Sequence, residues 1–135
     1  MAFSRAGRER VNAFEVEDRY LFKHYFERDE VFERLRPYYD HSQYRFEVPD
    51  GEFETVQSDL ADHDYALVVV DAVAPYVVVV EQYTAHPDNI FKASVAQRTV
   101  EGHNCFLLTD RAAVADATDE GARRLSATGL SNPFV

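Results

Sequence analysis

Apolar positions in this chain of 135 residues recur with two periods, and the change from one to the other marks its elements. Between Val16 and Leu35, the residues Tyr20, Leu21, Tyr25, Val31, Phe32 and Leu35 fall near a 3.6-residue spacing, which predicts a helix. Asp29 is suited to cap a second piece of that helix, with Glu30 in its first turn and a break near Arg28. Pro37 ends the pattern. Tyr44 to Val48 alternates as a short strand, and Pro49-Asp50-Gly51 is a turn signal. From Glu52 to about His63, Phe53, Val56 and Leu60 are spaced by three and four, which predicts a second helix.

The strongest strand signals follow. Ala66 to Val70 and Tyr76 to Glu81 are valine-rich runs on either side of Asp71–Pro75, and β-branched side chains suit a pleated surface. The runs do not alternate with polar residues, so both of their faces are expected to be covered. Read locally, they form a hairpin. Thr84 to Lys92 reads as a loop. Ala93 to Val100 and Asn104 to Leu108 read as a hairpin around Glu101-Gly102-His103. Asp110 opens a last helix lined by Ala113, Val114, Ala117, Ala122 and Leu125. Residues 129–135 form a C-terminal tail in which Phe134 is expected to dock back on the body.

These elements predict an α+β fold: a mixed, mostly antiparallel sheet of about five strands with helices packed on it. The expected organisation is a flexible arm over residues 1–13, one domain over 14–128 and the tail. The arm is polar and arginine-bearing, without the apolar stretch of a signal peptide. If helices cover only one face of the sheet, a second copy would cover the other, so a homodimer is expected.

Charge changes this picture. Twenty-four acidic residues oppose twelve arginines and only two lysines, Lys23 and Lys92, for a net charge of -10. In molar salt the Debye length is about 3 Å, so the self-repulsion of such a surface is screened. In composition the chain resembles acidic, lysine-poor cytoplasmic proteins of salt-accumulating archaea, which implies a halophilic, haloarchaeal and cytoplasmic protein. A single cysteine, Cys105, excludes an intramolecular disulfide and fits a reducing compartment. No run is long enough to span a bilayer, and no membrane partner is expected. Residues 1–45 are neutral, with nine basic and nine acidic side chains. Eleven of the eighteen aromatics lie between Phe14 and Phe53, so the N-terminal third is the more adhesive part.

Four groups of residues carry candidate chemistry. Asp71 and Glu81, with Tyr83 on the face of Glu81, set two hard oxygen ligands near the ends of neighbouring strands. This resembles metal-dependent nucleases of the PD-(D/E)xK class, and the resemblance implies a magnesium-dependent hydrolase. Tyr83 stands where that class has its lysine. A simple hairpin centred on residues 73 and 74 would also leave Glu81 about 17 Å from the level of Asp71. His86 and Asp88, in the loop His86-Pro87-Asp88-Asn89 with Lys92, are weak candidates for the same metal or hydrolase site. Their alternative reading is ordinary turn chemistry. His103 and Cys105 share a strand face, but a closed zinc site needs four ligands. His24, His41 and His63 have no ligand spacing and read as surface or half-buried residues.

Arg34, Arg36, Tyr38, Tyr39 and Arg45 interleave bases with aromatics, as single-stranded nucleic-acid surfaces do. Their alternative reading is core aromatics with arginines paired to Glu30, Glu33 and Asp40. No cofactor motif is present and none is expected. The leading expectation is a non-enzymatic interaction or regulatory module, self-associating and with a protein partner. It would be marked by joint exposure of Tyr20, Phe22, Tyr25, Phe26, Tyr38 and Tyr39. The alternatives are the metal-dependent hydrolase or nuclease and the nucleic-acid-binding protein.

Overall fold

The computed structural model describes residues 8–82 and 84–135. Tyr83 and the first seven residues of the expected arm lie outside the described residues. The chain divides into two compact units, Met1–Val70 and Asp71–Val135.

In the first unit, β1 (Glu9–Val16) and β2 (Arg19–Phe22) form an antiparallel hairpin, with Val16 opposite Arg19. The two residues between them, Glu17 and Asp18, both have left-handed backbones, at φ 52° and 65°. Two such residues suit a tight hairpin turn, because their twist matches that of the flanking strands. The expected helix from Val16 is therefore corrected: its first part is this hairpin. The expected arm is corrected likewise, since Glu9–Ala13 belong to β1. Helix α1 is only Asp29–Leu35, and Asp29 is its first residue rather than its cap. A 3-10 turn through Pro37 leads to β3 (Tyr39–Asp40) and β4 (Arg45–Pro49). Helix α2 (Phe53–Ala61) buries Phe53, Val56 and Leu60, as their spacing requires, and is followed by β5 (Tyr65–Val69).

The sheet order is β3-β4-β2-β1-β5, with β5 parallel to β1 and the other pairs antiparallel. Phe22, Val31, Leu35, Phe46, Val48, Val56, Leu60 and Leu67 form the core of this unit. The hairpin expected between β5 and the second valine run does not form: β5 has a non-local partner, β1, and the second run lies in another sheet.

In the second unit, β6 (Val77–Glu81) lies between β8 (His103–Leu108) and β9 (Arg123–Arg124), and β7 (Ser94–Val100) pairs outside β8. All pairs are antiparallel. Val77 to Val80 are buried, as a strand covered on both faces requires. The β7–β8 hairpin turns at Glu101 and Gly102, both with positive φ. A short helix α3 (Ile90–Ala93) takes the end of the expected loop and also Ala93, which was expected to open the next strand, and α4 (Arg111–Asp119) follows Asp110. The Asp110 carboxylate accepts a hydrogen bond from the Ala113 amide at 2.8 Å, which closes the first turn of α4. Val114, Ala117, Ala122, Phe106 and Leu108 share one core, although Ala122 lies beyond the helix end. Phe134 is buried, with the Arg98 guanidinium over its ring.

The α+β class holds. The strands number nine among the described residues and form two sheets, of five and four.

Candidate functional site

The first unit carries a groove of about 670 Å³ between the segment after β2, helix α1 and the β3–β4 hairpin. The sequence builds it by two periods meeting. Asp29, Phe32, Glu33 and Arg36 lie three and four apart, so one side of α1 and its 3-10 extension faces the groove. Tyr39 and Phe46 are cross-strand partners on β3 and β4 and close the floor. Their ring centroids are 4.9 Å apart, and Phe32 meets both edge-on at 5.3 and 6.0 Å. Phe26 packs edge-on against Phe46 at 5.7 Å and against Tyr65 at 4.9 Å. These tilted geometries are the favoured ones for aromatic pairs.

Polar groups are set around this aromatic floor. Arg36 Nε donates to Glu33 Oε2 at 3.0 Å, and its guanidinium lies over the Phe32 ring, 5.2 Å from the centroid. The hydrogen bond to Glu33 raises the Arg36 pKa above its ordinary value. His24 Nε2 lies 3.2 Å from Glu9 Oε2, and its ring packs against Phe26 and Tyr65. Asp29 lines the groove with no ion pair among the described residues. Tyr25, also lining it, is 81% exposed. The site can thus receive an apolar or cationic group against rings, beside the Asp29 carboxylate.

The aromatics singled out in the sequence are not exposed together. Phe22 and Phe26 are buried and Tyr20, Tyr38 and Tyr39 half-buried, which leaves Tyr25 alone in the open. The Tyr38 hydroxyl donates to Glu52 at 2.8 Å, and this bond raises the tyrosine pKa. Each arginine of the proposed nucleic-acid face has a carboxylate beside it. Arg34 lies 3.9 Å from Asp59, Arg36 binds Glu33, and Arg45 binds Glu47 at 3.1 Å. Of the three carboxylates expected as partners, Glu33 takes that role, with Arg36. Tyr38 and Tyr39 also border a second, shallower hollow with Asp40 and His41.

The metal candidates stand apart. Asp71 is exposed ahead of the 3-10 turn that precedes β6, and Glu81 is exposed at the far end of β6. The strand between them spans about 13 Å. His86 packs against the rings of Phe91 and Phe106, at 5.2 and 5.7 Å, and those two rings also meet each other at 5.6 Å. Asp88 borders a pocket of about 250 Å³ floored by Ile90 and Leu108, and its amide donates to Glu120. Among the described residues, no three His, Cys, Asp or Glu side chains are grouped to hold a metal ion. Cys105 is buried, and burial pushes its thiol pKa up. His103 Nδ1 donates to the Glu101 carbonyl at 3.0 Å. His24 and His63 are half-buried and His41 is exposed.

Sequence reasoning did not assign Asp29, Phe32, Glu33 or Phe46 to a site. The spacing of Asp29 and Glu33, four apart on one helix face, was the available signal.

No protein-family model matches the chain, and comparisons with curated proteins and with solved structures find no significant match either.

Proposed function

We propose that this protein is an interaction module that docks a segment of a partner protein in the groove beside α1. One observation carries the reading: Tyr25, 81% exposed, stands at the rim of a groove floored by packed aromatic rings. The volume is within the range of about 300–1,000 Å³ for binding pockets with apolar walls and a few polar groups. Tyrosine is also among the residues that dominate binding energy at protein interfaces. Nucleic acid is the less favoured occupant, because the arginines at issue already face carboxylates.

The chain has no tryptophan, so Tyr25→Trp gives a single reporter in the groove. Titration with a pool of capped tetrapeptides covering apolar, basic and acidic side chains should change its emission saturably for some members. A Phe91→Trp reporter, at an exposed position of the second unit, should not respond. A pool without any saturating member at millimolar concentration contradicts the reading.

Self-association is a second reading. Strand β5 is an edge strand of five uncharged residues, Tyr-Ala-Leu-Val-Val, paired on one side with β1. The Gln57 amide covers one carbonyl, that of Leu67, at 2.8 Å. An apolar edge favours pairing with a second copy. Light scattering should then give twice the chain mass, and the mass of one chain at micromolar concentration contradicts it.

We also read the acid excess as adaptation to concentrated salt, in the cytoplasm of a haloarchaeal cell. No helix among the described residues is long and apolar enough to cross a membrane. The thermal midpoint should rise between 0.1 and 3 M KCl, and a flat or falling midpoint contradicts this.

A further inference from the structure

We infer that the anchor of the docked segment is an arginine side chain, its guanidinium stacked on Tyr25 and hydrogen-bonded to Asp29. The inference rests on the docking reading and names its chemistry. The chain shows the same arrangement further along the α1 wall of the groove, filled from within: the Arg36 guanidinium lies over the Phe32 ring and binds Glu33. Guanidinium over ring recurs elsewhere, with Arg28 over Tyr65, Arg98 over Phe134 and Arg111 over Tyr76. Tyr25 and Asp29 are the matching ring and carboxylate in the groove, without such a cation among the described residues. Asp29 stands one helical turn from Glu33, and the α1 backbone presents both to the same hollow.

Charge complementarity selects a cation, and the flat ring selects arginine over lysine. A guanidinium is planar, weakly hydrated and able to hold a carboxylate while stacked, whereas an ammonium is a compact, strongly hydrated charge. The distinction sharpens in salt. At molar ionic strength the Coulombic share is screened beyond about 3 Å, while stacking and a direct hydrogen bond persist.

The test is calorimetry on the full chain with acetyl-Leu-Arg-Leu-amide, and with the same peptide carrying lysine, citrulline or norleucine in place of arginine. The arginine peptide should bind at least tenfold more tightly than the citrulline and norleucine peptides, and should lose less affinity than the lysine peptide between 0.2 and 2 M KCl. Asp29→Asn should reduce the arginine peptide to the level of the citrulline peptide and leave the latter unchanged. Asp29 is exposed at a helix start, so the variant should fold, which its amide spectrum checks. Tyr25→Leu, as an independent variant, should weaken the arginine peptide more than the norleucine peptide. Equal affinity for arginine and norleucine peptides overturns the arginine anchor while leaving the groove a docking site. Unchanged affinity in Asp29→Asn also overturns it. Absence of binding by all four peptides overturns the anchor, and the docking reading falls with it only when the tetrapeptide pool is also silent.

Discussion

Arg36 lies over the ring of Phe32, four residues before it in the chain, with its guanidinium carbon 5.2 Å from the ring centroid. Glu33, between them in sequence, accepts the hydrogen bond that fixes the guanidinium on the ring. One turn toward the start of α1, Asp29 repeats the acid without an ion pair among the described residues. That asymmetry is the physical basis for the proposed arginine anchor.

Phe46 is the centre of the groove's floor, 1% exposed, with Phe22, Phe26, Phe32 and Tyr39 within 6.0 Å between ring centroids. Phe46→Ala should destabilise the protein by about 3–5 kcal/mol. Urea denaturation checks it, and a loss below about 1 kcal/mol would mean the rings repack without it.

Asp110 closes the first turn of α4 through its bond to the Ala113 amide. Asp110→Ala should cost about 1 kcal/mol and Asp110→Asn less, since the amide oxygen still accepts. The urea midpoints of the two variants measure the difference, and equal losses would assign the effect to charge rather than to the cap.

The Asp40 carboxyl is held down to about 2 by hydrogen bonds from Ser42, first its hydroxyl at 2.7 Å and then its amide at 2.8 Å. A depressed folded-state pKa contributes stability that is present above the ordinary carboxylate range and is lost as pH falls toward about 2. Carboxyl-carbon NMR should give Asp40 a midpoint near 2. Ser42→Ala should move that midpoint up toward the ordinary value, and an unmoved midpoint would exclude the hydroxyl as the cause.

Cys105 is buried in the central part of β8, and burial pushes its thiol pKa up. A thiol reagent should therefore leave the native protein unmodified at neutral pH and modify one site in urea. Fast native reaction would show that the second unit opens readily. Because the folded pKa is raised, the associated stability is present below the ordinary thiol range and falls as pH rises past it.

The elements legible in the sequence were those with local causes. Val77–Val80 needed only β-branching to be a buried strand, Phe53, Val56 and Leu60 only their spacing, and Asp110 only its place before an apolar run. The helix read from Val16 to Arg28 failed for a local reason of another kind. Glu17 and Asp18 both adopt left-handed backbones in a turn that Asn-Gly or Asp-Gly would have announced. Without that signal, Tyr20, Leu21 and Tyr25 matched a helical period by chance. With β1 unrecognised, β5 had no visible partner and was joined to its sequence neighbour. The candidate site was legible only as a surplus of aromatics. Which of them stayed open depended on tertiary packing: Phe26 turned inward on Phe46, and Tyr25, its neighbour in sequence, turned outward.

The most direct test of the docking claim is a residue-resolved one, the amide NMR shift map of the full chain titrated with acetyl-Leu-Arg-Leu-amide. Saturable shifts confined to residues 24–36 and to Tyr39 and Phe46 are the expected result. The absence of saturable shifts, or shifts centred on Ile90–Leu108 in the second unit, would contradict it.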